Sequence, residues 1–298
     1  MINGVAVGFL AYGLFSTADA SIKALGGSMS VFEIIFLVTA AHFLTIGVAK
    51  PEGEHWRQVF RMHRPKLVML RAACGVGAGL CGVYAFTTLP LAEAYALIFL
   101  MPAFATILSI PILGEEVGWR RWTAVALGFA GVLLVVKPGF RELHLGHLAA
   151  AVAAVFAALS MIVLRILGPT EKRITLLAVV YTAAVVINGV LMIPTFVVPQ
   201  PVDLAIVGIA GIAGGLGQIA MIVATRLSPA NLVASAQYSQ IVWAVVFGAV
   251  FFGEFPDWLS FAGMGLVVVS GLITFVREEK LHGWSRRIVL MRNRPDEF

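Results

Sequence analysis

Apolar stretches alternate along the chain with short breaks marked by proline, glycine and clustered charge. The stretches fall at about 2–24, 30–49, 67–87, 92–113, 120–137, 147–166, 174–198, 202–226, 230–252 and 257–276. Crossing a hydrocarbon core takes about 20 apolar residues in a helix, because only a helix or a closed barrel satisfies its own backbone there. Each stretch therefore predicts one membrane-spanning helix, ten in all. Breaks such as Thr88-Leu89-Pro90-Leu91 and Leu227-Ser228-Pro229-Ala230 are only a few residues long, so consecutive helices are expected to be antiparallel neighbours.

Composition removes the soluble alternative. Of 298 residues, 60% are hydrophobic and 12% are charged, with a mean hydropathy of +0.94, whereas a soluble chain carries about 25% charged residues. The N-terminal run MINGVAVGFLAYGLF has no basic segment ahead of it, and reads as the first span, not a cleaved signal. The formal charge of +5 does not point to nucleic acid, because the basic residues sit in the breaks and the tail. With the N-terminus inside, 18 of the 21 Lys and Arg residues fall on the cytoplasmic side, leaving Lys23, Lys137 and Arg141 outside. Cytoplasmic loops retain positive charge, so both termini are expected in the cytoplasm, in a multi-pass protein of the inner (plasma) membrane. Cys74 and Cys81 lie in one apolar stretch, about 10 Å apart along a helix axis and too far for a disulfide. They read as packing residues. No His, Asp or Glu stands near enough in sequence to complete a metal site, and no metal or cofactor is expected.

Shifting the sequence by 139 positions lays TTLPLAEAYALIFLMPAFATILSIPILGEEVGWRRW, from Thr87, over RLSPANLVASAQYSQIVWAVVFGAVFFGEFPDWLSF, from Arg226. Pro90 then falls on Pro229, Gly114-Glu115 on Gly253-Glu254 and Trp119 on Trp258, and the glycine-rich runs CGVGAGLCG and GIAGGLG precede the two copies. Segments five spans apart cross the membrane in opposite senses. The predicted organisation is a first five-helix repeat over 1–138, a second, inverted one over 139–277, and a basic cytoplasmic tail over 278–298. Inverted repeats of this kind are a transporter architecture, with substrate held near the midplane between the halves. Gly75-x-x-x-Gly79 and Gly211-x-x-x-Gly215 permit close helix approach. Packing of the third span on the eighth within one chain is expected, with a dimer face as the alternative to a monomer.

The pattern Ala85…Pro90…Ala94…Pro102…Gly114-Glu115, followed by GFAGVLLVVKPG and a second copy ending GEFPDWLSFAGMGLVVVSGLITF, resembles the EamA type of the drug/metabolite transporter superfamily over nearly all of residues 5 to 276. The resemblance implies ten spans in two inverted halves and export or exchange of small metabolites by alternating access. Within that superfamily the chain looks most like an exporter of aromatic and other apolar amino acids. It departs from many members in one respect: Met101, not Glu, precedes Pro102, and the second copy has Gln240-Ile241.

Polar residues at membrane depth are costly and tend to face a cavity or another helix. In the ninth span Ser235, Ser239, Gln240 and Trp243 share one face of a continuous helix, with Gln237 and Tyr238 beside them. The stripe is a candidate cavity wall whose amides and hydroxyls bind amino and carboxylate groups while Trp243 stacks on an apolar ring; interhelical hydrogen bonding is the alternative. The repeat places Met101 and Phe104 opposite Gln240 and Trp243, flanked by Tyr95 and Phe99. Tyr84, Met161 beside Ser160, and Gln218 are further candidates. Asp19 is the acid deepest within a span. An i, i+4 pair with Lys23 neutralises it on one reading; on the other it is a proton-coupling carboxylate. Glu33 and Glu93 read as helix N-terminal charges, and His42 as a satisfied or interfacial residue.

The leading function is thus a carrier exporting amphiphilic metabolites, most simply aromatic and apolar amino acids. Its partners are that small molecule and the membrane lipids, the latter also through the basic tail. An exchanger of phosphorylated or nucleotide-linked sugars would want Arg or Lys at mid-span, where the sequence has neither. A membrane enzyme acting on lipid substrates would need clustered acids, histidines or a metal motif such as Asp-x-x-x-Asp or His-Glu-x-x-His, and the sequence contains neither of those motifs.

Overall fold

The computed structural model describes residues 3–48, 60–139, 142–168 and 170–273. The expected tail at 278–298 lies outside them, as do Lys50, Arg57 and Arg141. Among the described residues the chain is helical with no β-strand: α1 (Gly4–Leu25), α2 (Val31–Val48), α3 (Pro65–Thr88), α4 (Leu91–Leu113), α5 (Trp119–Val136), α6 (Leu145–Leu167), α7 (Arg173–Leu191), α8 (Pro201–Leu227), α9 and α10 (Trp258–Ile273). The helix α9 is a composite of Ala230–Ser235, a 3₁₀ turn over Ala236–Tyr238, and Ser239–Phe252. Seven of these helices are long and apolar enough to cross a membrane, and three shorter apolar ones cover Val31–His42, Ala236–Phe252 and Trp258–Ile273.

The helix ends follow local chemistry. Asn3 caps α1 by accepting from the Val5 N–H at 3.1 Å, and Pro65 and Pro201 open α3 and α8, where the missing N–H costs nothing. In α4, Pro102 cannot donate to the ladder, and the helix divides just ahead of it into Leu91–Ile98 and Met101–Leu113. The matching interruption in α9 has no proline. There the Ser235 and Ser239 hydroxyls donate to the carbonyls of Leu232 and Ala236, each at 2.7 Å, a back-bonding that competes with the regular ladder and tightens the turn. Both helices then stop on a left-handed glycine, Gly114 at φ 67° and Gly253 at φ 65°, a conformation that disfavours any side chain.

Packing corrects one expectation. The glycine-rich α3 and α8 do not pair chiefly with each other; α1 and α2 lie against α8, while α6 and α7 lie against α3. The glycines serve these contacts. A Cβ on Gly4 would stand 2.6 Å from the Ala224 carbonyl oxygen, one on Gly214 would overlap the His42 ring, and one on Gly77 would stand 3.0 Å from Phe156. α1 and α2 are thus seated on α8, and α6 and α7 on α3, and the core gathers around α4, whose residues Leu91–Leu97 are all buried.

Candidate substrate site

Three helices bring four polar side chains together inside this apolar core: Ser16 and Asp19 from α1, Tyr95 from α4 and Gln240 from α9. Ser16, Tyr95 and Gln240 are buried, and Asp19 is half-buried. The Tyr95 hydroxyl donates to Asp19 in a short hydrogen bond. Its oxygen accepts from the Gln240 amide at 3.3 Å and lies 3.4 Å from the Ser16 hydroxyl. Burying such groups is costly unless each is bonded, and here Tyr95 is the shared member that bonds all three. Rings line one side of the cluster: Phe86 at 5.1 Å from Tyr95, Phe99 at 5.7 Å from Tyr95, and Tyr238 at 5.7 Å from Phe99.

The sequence candidates divide accordingly. Asp19, Tyr95, Phe99, Tyr238 and Gln240 meet at this cluster. Ser235 and Ser239 do not join it; their hydroxyls are taken by backbone carbonyls, and the 3₁₀ turn between Ser235 and Gln240 advances the phase by about 60° relative to a continuous α-helix, so the expected stripe is broken. Trp243 is 38% exposed, stacks on Phe247 at 5.5 Å and packs over Gly13, where a Cβ would stand 3.3 Å from its indole nitrogen. Phe104 meets Phe129 edge-on at 5.7 Å, and Met101 packs at the margin of the core. Gln237, Tyr84 and Gln218 are half-buried in α9, α3 and α8, and Met161 is exposed on α6. His42 is satisfied, its Nε2 lying 3.3 Å from the Ala210 carbonyl.

Lys23 is not the partner of Asp19. Its ammonium lies 2.8 Å from Glu254 and donates to the Leu89 carbonyl at 2.5 Å, while the other Glu254 oxygen accepts from the Leu91 N–H at 3.0 Å. The Phe252 ring lies 5.2 Å from the same ammonium. One ion pair therefore ties the end of α1, the α3–α4 junction and the α9–α10 junction. Beside it a cavity of about 130 Å³ is lined by Pro90, Glu93, Glu254 and Asp257. Asp257 is bound by Lys137 and by the Ser260 N–H, which hold its carboxyl well below the usual carboxylate range. At the opposite end of the bundle Glu115 lies 3.2 Å from Arg121 and 3.5 Å from Arg165. Sequence reasoning missed Ser16 and the role of Glu254. The signal for the first was the spacing Ser16, Asp19, Lys23, which sets all three on one face of α1; nothing local to Glu254 announces a partner so far away in sequence. Among the described residues no group of three or more His, Cys, Asp and Glu is arranged to hold a metal, and Cys74 and Cys81 are free thiols.

Comparison with known proteins places this geometry in context. The model of the EamA-like transporter family matches residues 2–137 and again 144–276. The S-adenosylmethionine uptake transporter of Rickettsia prowazekii is 23% identical over 94% of this chain and 94% of its own length. The pseudopaline exporter CntI of Pseudomonas aeruginosa is 27% identical over 93% and 97%, and an uncharacterized transporter of Helicobacter pylori is 25% identical over 92% and 94%. A crystal structure at 20% identity superposes with a TM-score of 0.61, covering 93% of this chain and 98% of the other, and so shares the fold.

Proposed function

This chain belongs to the EamA-like transporter family and is a membrane transporter, and on that premise we propose that it exports amino-acid-like amphiphiles, aromatic and other apolar amino acids foremost. The observation that carries the reading is the Asp19 carboxylate, held by Tyr95 at the edge of a cluster of rings inside an apolar core. A half-buried carboxylate attracts an ammonium group, the rings of Phe86, Phe99 and Tyr238 suit an apolar side chain, and the Gln240 amide and Ser16 hydroxyl supply neutral donors for a carboxylate. S-adenosylmethionine, named for one relative, is itself an amino-acid derivative, which favours this class over phosphorylated sugars. The same carboxylate takes up a proton from outside before the empty site turns inward, so that one proton enters for each substrate exported. On this reading the ten helices are ten spans in two inverted repeats of the inner membrane with both termini cytoplasmic, the Glu254 end faces outward, the Glu115 end faces the cytoplasm, and the halves rock about α4 and α9.

Flux from proteoliposomes of the purified protein tests this, using labelled phenylalanine, tryptophan, leucine and a sugar phosphate with and without a pH gradient. Saturable amino-acid flux that rises with the gradient and falls at least about tenfold in Asp19→Asn, as expected when a binding charge is removed, supports the proposal. Flux of the sugar phosphate alone would sink it.

A further inference from the structure

Lys23 stands where two carboxylates compete for it. It is one turn beyond Asp19 on the same face of α1, about 6 Å further along the axis, yet in the structure its ammonium is held by Glu254 and the Leu89 carbonyl. The segment Leu91–Ile98 joins the two carboxylates: its first N–H, from Leu91, donates to Glu254, and the Tyr95 hydroxyl, one turn on, donates to Asp19. Pro90 precedes this segment and the break at Phe99-Leu100 follows it, so it is a short rigid body carrying contacts to both. Lys23 is only 11% exposed, and a buried ammonium released from one carboxylate seeks another.

We propose that Lys23 is a tethered competitor for the substrate's ammonium group: it pairs with Glu254 while the Glu254 end is shut and with Asp19 once that end opens, displacing the substrate. This rests on the reading of Asp19 as the ammonium site and adds a release device to it. With Lys23 on Glu254, Asp19 is left to Tyr95 and the incoming ammonium. Separation of α9–α10 from α1 and Leu91 takes Glu254 away, and the freed ammonium rotates back one helical turn onto Asp19. Exchange of one cation for another keeps the carboxylate neutralised throughout, which avoids an uncompensated charge at membrane depth. Re-formation of the Glu254 pair then takes Lys23 from Asp19, and the proton of the exchange takes its place there.

The test is equilibrium binding of labelled phenylalanine to the purified protein in nanodiscs, for wild type, Glu254→Gln, Lys23→Gln and the double variant. Glu254→Gln liberates Lys23 and is expected to raise Kd about tenfold, the effect of an internal occupant present nine times in ten. The double variant is expected to return to within about twofold of wild type, because the competitor is gone. A double variant as weak as Glu254→Gln overturns the proposal, since only competition is relieved by deleting the lysine. If wild type binds no amino acid, the substrate reading has failed and a substrate-free arm decides the competition. The melting-temperature effects of Asp19→Asn and Lys23→Gln are expected to add in the wild-type background, where the two do not pair. In the Glu254→Gln background they are expected not to add; additivity in both backgrounds refutes the exchange.

Discussion

Gly114-Glu115 and Gly253-Glu254 end matched helices at opposite ends of the bundle, with glycines at φ 67° and φ 65°. The backbone is the same and the chemistry is not. Glu254 joins three junctions through Lys23 and the Leu91 N–H, with side chains 23% and 11% exposed. Glu115, 34% exposed, reaches Arg121 on α5, 19% exposed, and Arg165 on α6, 44% exposed. The matching Gly-Glu pairs fix where a carboxylate stands, while the residues around it decide whether that position is a firm tie or a loose one. The polar cluster repeats the lesson. The positions 139 residues beyond Asp19 and Tyr95 are Ala158 and Ala234, so the shift that aligns the two Gly-Glu pairs does not reproduce the Asp19–Tyr95 site.

Breaking the two carboxylates in turn is the strongest way to separate them. Glu254→Gln removes the carboxylate that joins Lys23 and the Leu91 N–H across three junctions and is expected to cost about 2 kcal/mol, less than for a buried pair left uncompensated because Lys23 turns to Asp19. Glu115→Gln leaves Arg121 and Arg165 on a more exposed site and is expected to cost about 1 kcal/mol or less. Melting temperatures of the two purified variants check this, and equal shifts would mean that burial does not distinguish the junctions. The backbones, by contrast, are expected to respond alike. Gly114→Ala and Gly253→Ala each force a side chain into the left-handed region at about 1–2 kcal/mol, with open space around both Cβ positions. A large disparity between those two melting shifts would locate the asymmetry in the backbone instead of in the ion pairs.

Much of this was legible in the chain. The period of apolar stretches gave most helices to within a few residues, though α7 stops at Leu191 where the expected stretch runs to 198, and Pro90, Pro102, Gly114 and Gly253 marked where α4 and α9 begin, break and end, because each acts through its own backbone. Asp19, Tyr95 and Gln240 stood out as polar residues in apolar surroundings. What the sequence hid was partnership. The i, i+4 spacing favoured Asp19 with Lys23, but Glu254 is 231 positions from Lys23 and no periodicity links them. The stripe through Ser235 and Gln240 failed for a local reason, a 3₁₀ turn driven by serine back-bonding, which a count in steps of 3.6 does not anticipate. The glycine runs signalled close packing but not its object; the partners turned out to be α6 and α7 for α3, and α1 and α2 for α8.

The smallest effect expected concerns Lys137 and Asp257, a second tie at the Glu254 end that joins the end of α5 to the start of α10. The Asp257 side chain is 43% exposed, so its loss unlatches little. Its pH dependence is nevertheless distinctive. Lys137 and the Ser260 N–H hold the folded carboxyl below its usual range, and a depressed carboxylate contributes stability that is full above its unfolded value, about 3.9, and lost as pH falls through the folded one. The difference in melting temperature between wild type and Asp257→Asn is therefore expected to stay constant from pH 7 to about 5 and to shrink only in more acidic solution. Other carboxylates titrate in both proteins and cancel in the difference. A gap that is negligible already at pH 7 would mean that Lys137 is not held on Asp257, and the Lys23 pair would then be the main tie between Glu254 and the rest of that end.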